Sequence, residues 1–280
     1  MEIPLTFHCN NNCISCIIDN RIVPKKGDLT WTEIKKRIDR LPKPYDTVGI
    51  AGGEPTTSKN LFRCLTYIRD TRSDIFIFLV TNGRLFSYPD FAKRISNLGL
   101  EKLRVGIALY SHKSDIHDSI TRCMGSWEQT TQGINNLLKL GIRPELRIIV
   151  SKLNYASMED TARFIAKNLS GVERVVFINM KYTGNAFRNR KKIFIKYKEL
   201  VPHITKAVDV LLSAGIETRL FHFPLCTISE EYRELAKGVT KQRGELAFAK
   251  ACKDCKSRND CPMIWRTYMI LAGEDEFKPI

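Results

Sequence analysis

Little in this sequence points to a membrane or an oxidising compartment. Its longest clearly apolar run, residues 75–80, is far too short to span a bilayer. The opening residues lack the basic stretch and apolar core of a secretory signal. There is no repeat of fixed period beyond a strand–helix alternation, and no low-complexity linker. Acidic residues are also in short supply: Lys+Arg 45 against Asp+Glu 30 leaves a formal charge of +15. That balance suits nucleic acid, an anionic surface or an acidic partner, and it selects none of them. With 43% hydrophobic and 27% charged residues, the composition is that of an ordinary globular chain. A length of 280 residues allows one large domain or a domain with a small appendage. The expectation is a soluble, cytoplasmic protein without a membrane partner.

What the sequence has in excess is cysteine. The nine cysteines are an odd number, and in a reducing compartment metal ligation or redox chemistry explains them better than a disulfide framework. Cys9, Cys13 and Cys16 crowd one end of the chain; Cys252, Cys255 and Cys261 crowd the other, with Cys226 upstream of the second group. Cys64 falls inside an expected helix as a packing residue, and Cys123 reads as an isolated thiol. Two clusters suggest two metal sites.

Between them, apolar runs alternate with amphipathic stretches. Strands are expected at 4–8, 47–52, 75–81, 103–110, 146–150, 175–180 and 217–223. Helices are expected at 30–41, 61–72, 91–98, 126–140, 158–169 and 197–214. Thr30 and Glu33 have capping-box spacing, and Gly141 and Gly215 stand where helices stop. Residues around His112 and His117 read as a surface loop. The repeated strand–helix unit predicts an α/β protein with a parallel sheet, its strands following one another around a barrel or an arc. Patterning stops after Pro224, which divides the chain into 1–223 and a cysteine-rich extension, 224–280. In such barrels the chemistry sits at the carboxyl ends of the strands. Both the first cysteines and Gly52-Gly53-Glu54-Pro55 directly follow expected strands.

The first group, Cys9-Asn-Asn-Asn-Cys13-Ile-Ser-Cys16, has C-x3-C-x2-C spacing. Three thiolates cannot close a tetrahedral zinc site without a fourth ligand, but they can hold three irons of a [4Fe–4S] cluster and leave the fourth open. Asn10, Asn11 and Asn12 are placed to donate hydrogen bonds to such a cluster.

With Gly52-Gly53-Glu54-Pro55 one helix further on, the chain resembles the radical S-adenosylmethionine (SAM) superfamily. The resemblance implies a partial (β/α)6 TIM-like barrel whose open iron chelates the amino and carboxylate groups of SAM. It implies that residues 52–54 receive the SAM ammonium. It also implies reductive cleavage to a 5′-deoxyadenosyl radical that takes hydrogen from a substrate, with a flavodoxin- or ferredoxin-like electron donor. Thr81, Asn82 and Ser111 resemble further cofactor contacts, and Arg147 resembles a cation near the SAM carboxylate.

Cys226 with Cys252-Lys-Asp-Cys255 and Cys261 supplies four thiolates, which suit zinc or a second [4Fe–4S] cluster. Several radical SAM subfamilies append a small SPASM- or twitch-like domain with an auxiliary cluster, and this tail, with Trp265 and Tyr268, is similar to it.

Residues 110–127 and 147–154, and the Pro224-Leu-Cys226 entry to the tail, resemble peptide-modifying maturases of the His-Xaa-Ser type. That implies a ribosomally made peptide as substrate. The first cysteine stands at position 9, which is expected to leave no room for the peptide-binding module many such maturases carry. Either a separate protein delivers the peptide or the substrate is something else. RNA or a small metabolite is the competing substrate, and the basic stretch Arg188, Arg190, Lys191, Lys192, Lys196 and Lys198, interleaved with Phe194 and Tyr197, supports RNA. A non-catalytic zinc-binding adaptor is a third reading; it explains the tail but neither the open cysteine loop nor residues 52–55.

Overall fold

The computed structural model describes residues 1–19, 27–240 and 243–280. Strands and helices alternate as β1 (Glu2–Thr6), α1 (Trp31–Asp39), β2 (Thr47–Gly52), α2 (Leu61–Thr71), β3 (Phe76–Thr81), α3 (Pro89–Ser96) and β4 (Leu103–Ala108). They continue as α4 (Ser114–Thr121), α5 (Ser126–Lys139), β5 (Glu145–Val150), α6 (Met158–Asn168), β6 (Arg174–Asn179), α7 (Gly184–Arg188), α8 (Arg190–Ile193), α9 (Tyr197–Ser213) and β7 (Glu217–Phe221). The seven strands pair in chain order, every pair parallel, so the sheet is the arc of a TIM-like partial barrel.

The period-2 pattern explains its two faces. On one face Ile77, Leu79, Val105, Ile107 and Ile148 are buried among the helices. The other face carries charge. Arg174 pairs with Glu145 (2.9 Å) and Glu217 (3.3 Å), Arg147 pairs with Glu145, and Arg219 pairs with Glu217 (2.9 Å). The Arg147 guanidinium also lies 5.3 Å from the Phe78 ring centre and 6.0 Å from that of Phe221. These partners come from β3, β5, β6 and β7, so the inner surface is held across the arc by ion pairs as well as by the sheet.

Local signals survive folding. Thr30 caps α1 in a full capping box with Glu33, and Gly141 and Gly215 adopt left-handed conformations just past α5 and α9. Cys64 is fully buried in α2. The stretch expected as a loop around His117 is instead α4, with His117 and Ile120 buried beneath it. The helix is only eight residues long, and its periodicity is too brief to stand out in sequence.

The tail is short on regular structure. It contains β8 (Leu246–Ala247), paired antiparallel with β9 (Ile264–Trp265), and α10 (Arg266–Ala272). Leu225, Leu246, Trp265, Tyr268 and Phe277 join the same hydrophobic core as the barrel. Trp265 Nε1 donates to the Asn179 carbonyl (3.0 Å) and Tyr182 N to Thr267 Oγ1 (3.2 Å). Lys181 pairs with Glu245 (2.7 Å), and the His222 and Trp265 rings stand 4.0 Å apart. The tail therefore covers the carboxyl ends of β6 and β7. No helix among the described residues is long and apolar enough to cross a membrane.

Candidate active site at the carboxyl ends of the strands

The cysteine loop leaves β1 beside the end of β2, and the two glycines there decide how closely. At Gly52 (φ +137°) a Cβ would collide with the Thr6 carbonyl, and at Gly53 it would collide with that of His8. Only glycine lets the two backbones touch, with Gly53 N donating to Thr6 O (2.7 Å) and Glu54 N to His8 O (2.7 Å). The glycine pair thus places Cys9.

Glu54 is 1% exposed, and its carboxylate accepts four hydrogen bonds. The donors are Thr56 N (3.1 Å), Thr56 Oγ1 (2.5 Å), Thr81 Oγ1 (2.6 Å) and Asn82 N (2.7 Å). Burial raises its pKa, opposed by these bonds. The side chain ties the end of β2 to that of β3. Pro55 is buried in the turn that follows.

Asn82 Nδ2 donates to Asn10 Oδ1 (2.7 Å), and Arg84 donates to the Asn10 carbonyl, to Asn11 Oδ1 (2.7 Å) and to Gln129 Oε1 (2.6 Å). The Asn10 and Asn11 side chains thus fasten the loop to the chain after β3, whereas the sequence placed them as donors to a cluster. Asn11 does supply one donor to sulfur, its backbone N–H to Cys9 Sγ (3.4 Å), and Ile18 N does the same for Cys16 Sγ (3.4 Å).

Two further segments hold the loop. Beside α4, the carbonyls of Thr121 and Ile120 accept from Asn12 N (2.9 Å) and Ile14 N (2.8 Å). Around α7, Asn185 Nδ2 donates to Cys13 O (3.2 Å), Ala186 N to Cys16 O (2.9 Å) and Thr183 Oγ1 to Ile17 O (3.1 Å), and Arg188 pairs with Asp19. Gly184 fits because a Cβ there would strike the backbone of Ile17 and Ile18. Nothing in the sequence flagged Arg84, Thr183, Gly184 or Asn185, because their partners lie far away along the chain. Phe194 and Tyr197 of the basic stretch turn inward: Phe194 packs on Tyr182 and Tyr268, and Tyr197 is fully buried. They make no exposed stacking platform.

Burial pushes the Cys9 thiol up to about 11, the Cys13 thiol up to about 12, and that of Cys16 upward as well. The Cys13 thiol also feels the charges of Cys16 and Cys9, and the Cys9 thiol those of Glu54 and Cys16. A bound metal cation would displace the protons of such thiols into solvent, and the two N–H donors meet the resulting sulfurs. Among the described residues no three His, Cys, Asp or Glu side chains are spaced to share one metal ion. Each cysteine of a cubane takes a different iron and has no need of a common point. The donor set and its surroundings fit a [4Fe–4S] cluster.

The other expected contacts are dispersed. Thr81 is committed to Glu54 and Gly83 N (3.0 Å). Ser111 lies three residues beyond the end of β4 and is fully buried; its Oγ accepts from Lys113 N (3.1 Å) and its carbonyl from Trp127 Nε1 (3.1 Å). Arg147 lies among the ion pairs inside the arc. Tyr110, two residues past the end of β4, reaches the loop instead, its hydroxyl 4.0 Å from Cys13 Sγ. Its backbone N–H donates to His117 Nδ1 (3.3 Å), so His117 is no free surface side chain. His112 lies 3.2 Å from Thr161 Oγ1.

In the tail, Cys226, Cys252, Cys255 and Cys261 line one small cavity with Leu225, Phe248, Arg258 and Ile264. The Cys226 thiol feels the charges of Cys261 and Cys252, and burial raises both Cys226 and Cys261. Cys226 also has a backbone donor at Lys278, and Cys261 has donors at Leu225 and Met263. The sequence placed four thiols together here, and the fold brings them to one pocket.

A family model described as the radical SAM superfamily matches residues 3–165. An AdoMet-dependent heme synthase of Methanosarcina barkeri is 30% identical over 252 residues, spanning 89% of this chain and 69% of that protein. A GTP 3′,8-cyclase of Campylobacter jejuni is 30% identical over 206 residues, spanning 69% of this chain and 60% of the cyclase. Among solved structures, Streptococcus suis SuiB bound to the precursor peptide SuiA superposes with TM-score 0.61 at 14% identity, over 78% of this chain and 48% of that one. The anSMEcpe structure with bound AdoMet and Kp18Cys peptide superposes with TM-score 0.55 at 18% identity, over 78% of this chain and 62% of that one.

Proposed function

The chain belongs to the radical SAM superfamily of enzymes, and from that premise we propose that it modifies a ribosomally made peptide. When bound, the cluster and SAM supply a one-electron cleavage whose 5′-deoxyadenosyl radical removes hydrogen from the substrate. The chain's own residues do the placing. Cys9, Cys13 and Cys16 hold three irons and leave one position for the amino and carboxylate groups of SAM. The backbone of Gly52 and Gly53 presents the strand end to the SAM ammonium, with Glu54 and Pro55 fixing its shape. Thr81 and Asn82 continue that wall, and Ser111 and Arg147 stand farther round the arc, toward ribose and carboxylate. The observation that carries this reading is the three-thiol loop pinned to the ends of β2 and β3 by Gly52, Gly53 and Glu54. Replacing Cys9, Cys13 and Cys16 together by Ala should abolish dithionite-driven SAM cleavage while the circular dichroism of the barrel persists. Undiminished cleavage by that variant would sink the assignment.

The tail, residues 224–280 against a barrel of 1–223, is proposed to carry an auxiliary [4Fe–4S] cluster on Cys226, Cys252, Cys255 and Cys261. Four thiolates leave no iron open to SAM, so this site serves the substrate step or walls off the mouth. Replacing Cys252, Cys255 and Cys261 by Ala should lower iron from about eight per chain to about four. A parent with about four irons and one zinc would make the tail a structural zinc clip.

For the substrate, support comes from SuiB bound to its precursor peptide and anSMEcpe bound to a peptide, both with this fold. The heme synthase relative, which spans 89% of the chain, favours a small metabolite as the second reading. Co-expression with a short peptide encoded beside the gene, followed by mass spectrometry, separates them: a peptide lighter by hydrogen or cross-linked supports the first. The electron donor is proposed to be a flavodoxin- or ferredoxin-like protein, with the enzyme in the cytoplasm.

A further inference from the structure

One side chain from outside the cysteine loop turns a polar atom toward a ligand sulfur. The Tyr110 hydroxyl meets Cys13 Sγ at 4.0 Å and also the side chain of Ser15. Tyr110 is 5% exposed, so its hydroxyl proton needs an acceptor within the protein. A phenol has one proton and two lone pairs. The Ser15 hydroxyl can donate into a lone pair, which leaves the Tyr110 proton for sulfur. A neutral thiol is a weak acceptor and the contact is long; a thiolate carries the charge that strengthens and shortens such a bond.

Buried side chains hold Tyr110 at both of its backbone groups. Its N–H donates to His117 Nδ1 (3.3 Å), and its carbonyl accepts from Asn154 Nδ2 (2.9 Å). Asn154 Oδ1 in turn accepts from Ser151 N (2.8 Å), and the Tyr110 and His117 rings meet edge to face at 5.4 Å. His117 belongs to α4, and the Ile120 and Thr121 carbonyls at the end of that helix accept from Ile14 N and Asn12 N. One helix therefore fixes the tyrosine and both neighbours of Cys13.

We propose that Tyr110 is a positioning residue for the cluster: its hydroxyl donates to the Cys13 thiolate and sets how readily the cluster takes up an electron. The proposal rests on the reading that Cys9, Cys13 and Cys16 hold a cluster. Reduction adds one electron, and so one negative charge, to the cluster and its thiolates. A donor at sulfur stabilises the more negative state more. The phenolic proton stays on oxygen, and no bond breaks. Removing the donor therefore favours the oxidised state, and strengthening it favours the reduced one.

The test is a mediated reductive titration of the reconstituted enzyme at fixed pH, following the electron paramagnetic resonance signal that added SAM alters. Three proteins are compared: the parent, Tyr110→Phe, and a variant with a ring-fluorinated tyrosine in place of Tyr110. Tyr110→Phe keeps the ring against His117 and loses only the hydroxyl. Fluorination makes the phenol a stronger donor at nearly unchanged size. In Tyr110→Phe the equilibrium should move about three- to ten-fold toward the oxidised cluster, ten-fold being about 59 mV for one electron. In the fluorinated variant it should move the other way, with the parent's iron content and melting. A residue that only packs the loop would change melting or iron content and leave the potential in place. Parent-like potentials in both variants would overturn the proposal, as would shifts of one sign in both. If Tyr110→Phe takes up no iron, the fluorinated variant decides alone, and a parent-like potential there overturns the proposal. A parent with no SAM-sensitive iron–sulfur signal would overturn the cluster itself, so the two failures are distinguishable.

Discussion

Glu54, at the exit of β2, accepts from the backbone N–H of Asn82, at the exit of β3, at 2.7 Å. With the Thr56 and Thr81 bonds, this occupies both carboxylate oxygens, so Glu54 acts as a positioning residue for the strand ends. Glu54→Gln turns one acceptor into a donor facing other donors. The expected cost is about 1.5–3 kcal/mol of stability, with weaker SAM binding, by roughly ten- to a hundred-fold, and iron retained. Paired thermal unfolding and SAM titration check it; unchanged melting with weakened binding would restore a direct contact between the carboxylate and the ligand.

Gly52→Ala and Gly53→Ala are expected to act on iron before they act on the barrel. The Cβ atoms meet the carbonyls of Thr6, at the end of β1, and His8, just before Cys9, so the loop must move away from β2. Reconstituted variants should bind less iron while keeping the parent's helical circular dichroism. Full iron content would show that the loop relaxes without cost.

Arg84 bridges the Asn10 carbonyl, Asn11 Oδ1 and Gln129. Arg84→Met keeps much of the stem and removes the donors. Cluster loss to a chelator should speed up several-fold, with little change in melting of the cluster-free protein. Equal loss rates in parent and variant would remove Arg84 from the loop's support.

Burial depresses His117 to about 4 and His222 to about 3, from an ordinary value near 6.5. An unfolded chain takes up these protons below about pH 6.5, while the folded chain resists until about pH 4 and 3. Stability is therefore full above pH 6.5 and falls as pH drops through that window. Melting temperature measured from pH 8 to 5 should decline, and less steeply in His117→Gln. The imidazole signals of both residues should stay at their neutral positions down to pH 5.

Much of this was legible along the chain. Strand and helix periodicity gave the parallel arc, because burial against neighbours imposes the same period wherever the element falls. The spacing of Cys9, Cys13 and Cys16 and the placement of Gly52-Gly53-Glu54-Pro55 gave the site, because thiols on one loop are neighbours before folding. His117 and Asn10 were not readable in the same way. A buried imidazole in an eight-residue helix looks like a loop histidine, and an asparagine turned toward Asn82 looks like one turned toward a cluster.

The sequence by itself determined which residues could ligate metal and which strand ends they follow, since both are set by local spacing. Only the tertiary structure decided what holds them. Arg84, Tyr110, Gly184, Asn185 and Arg188 reach the loop from the segments after β3, β4 and β6. Parallel strands deliver their carboxyl ends to one rim, however far apart they lie in the chain, and no local pattern records which side chains meet there.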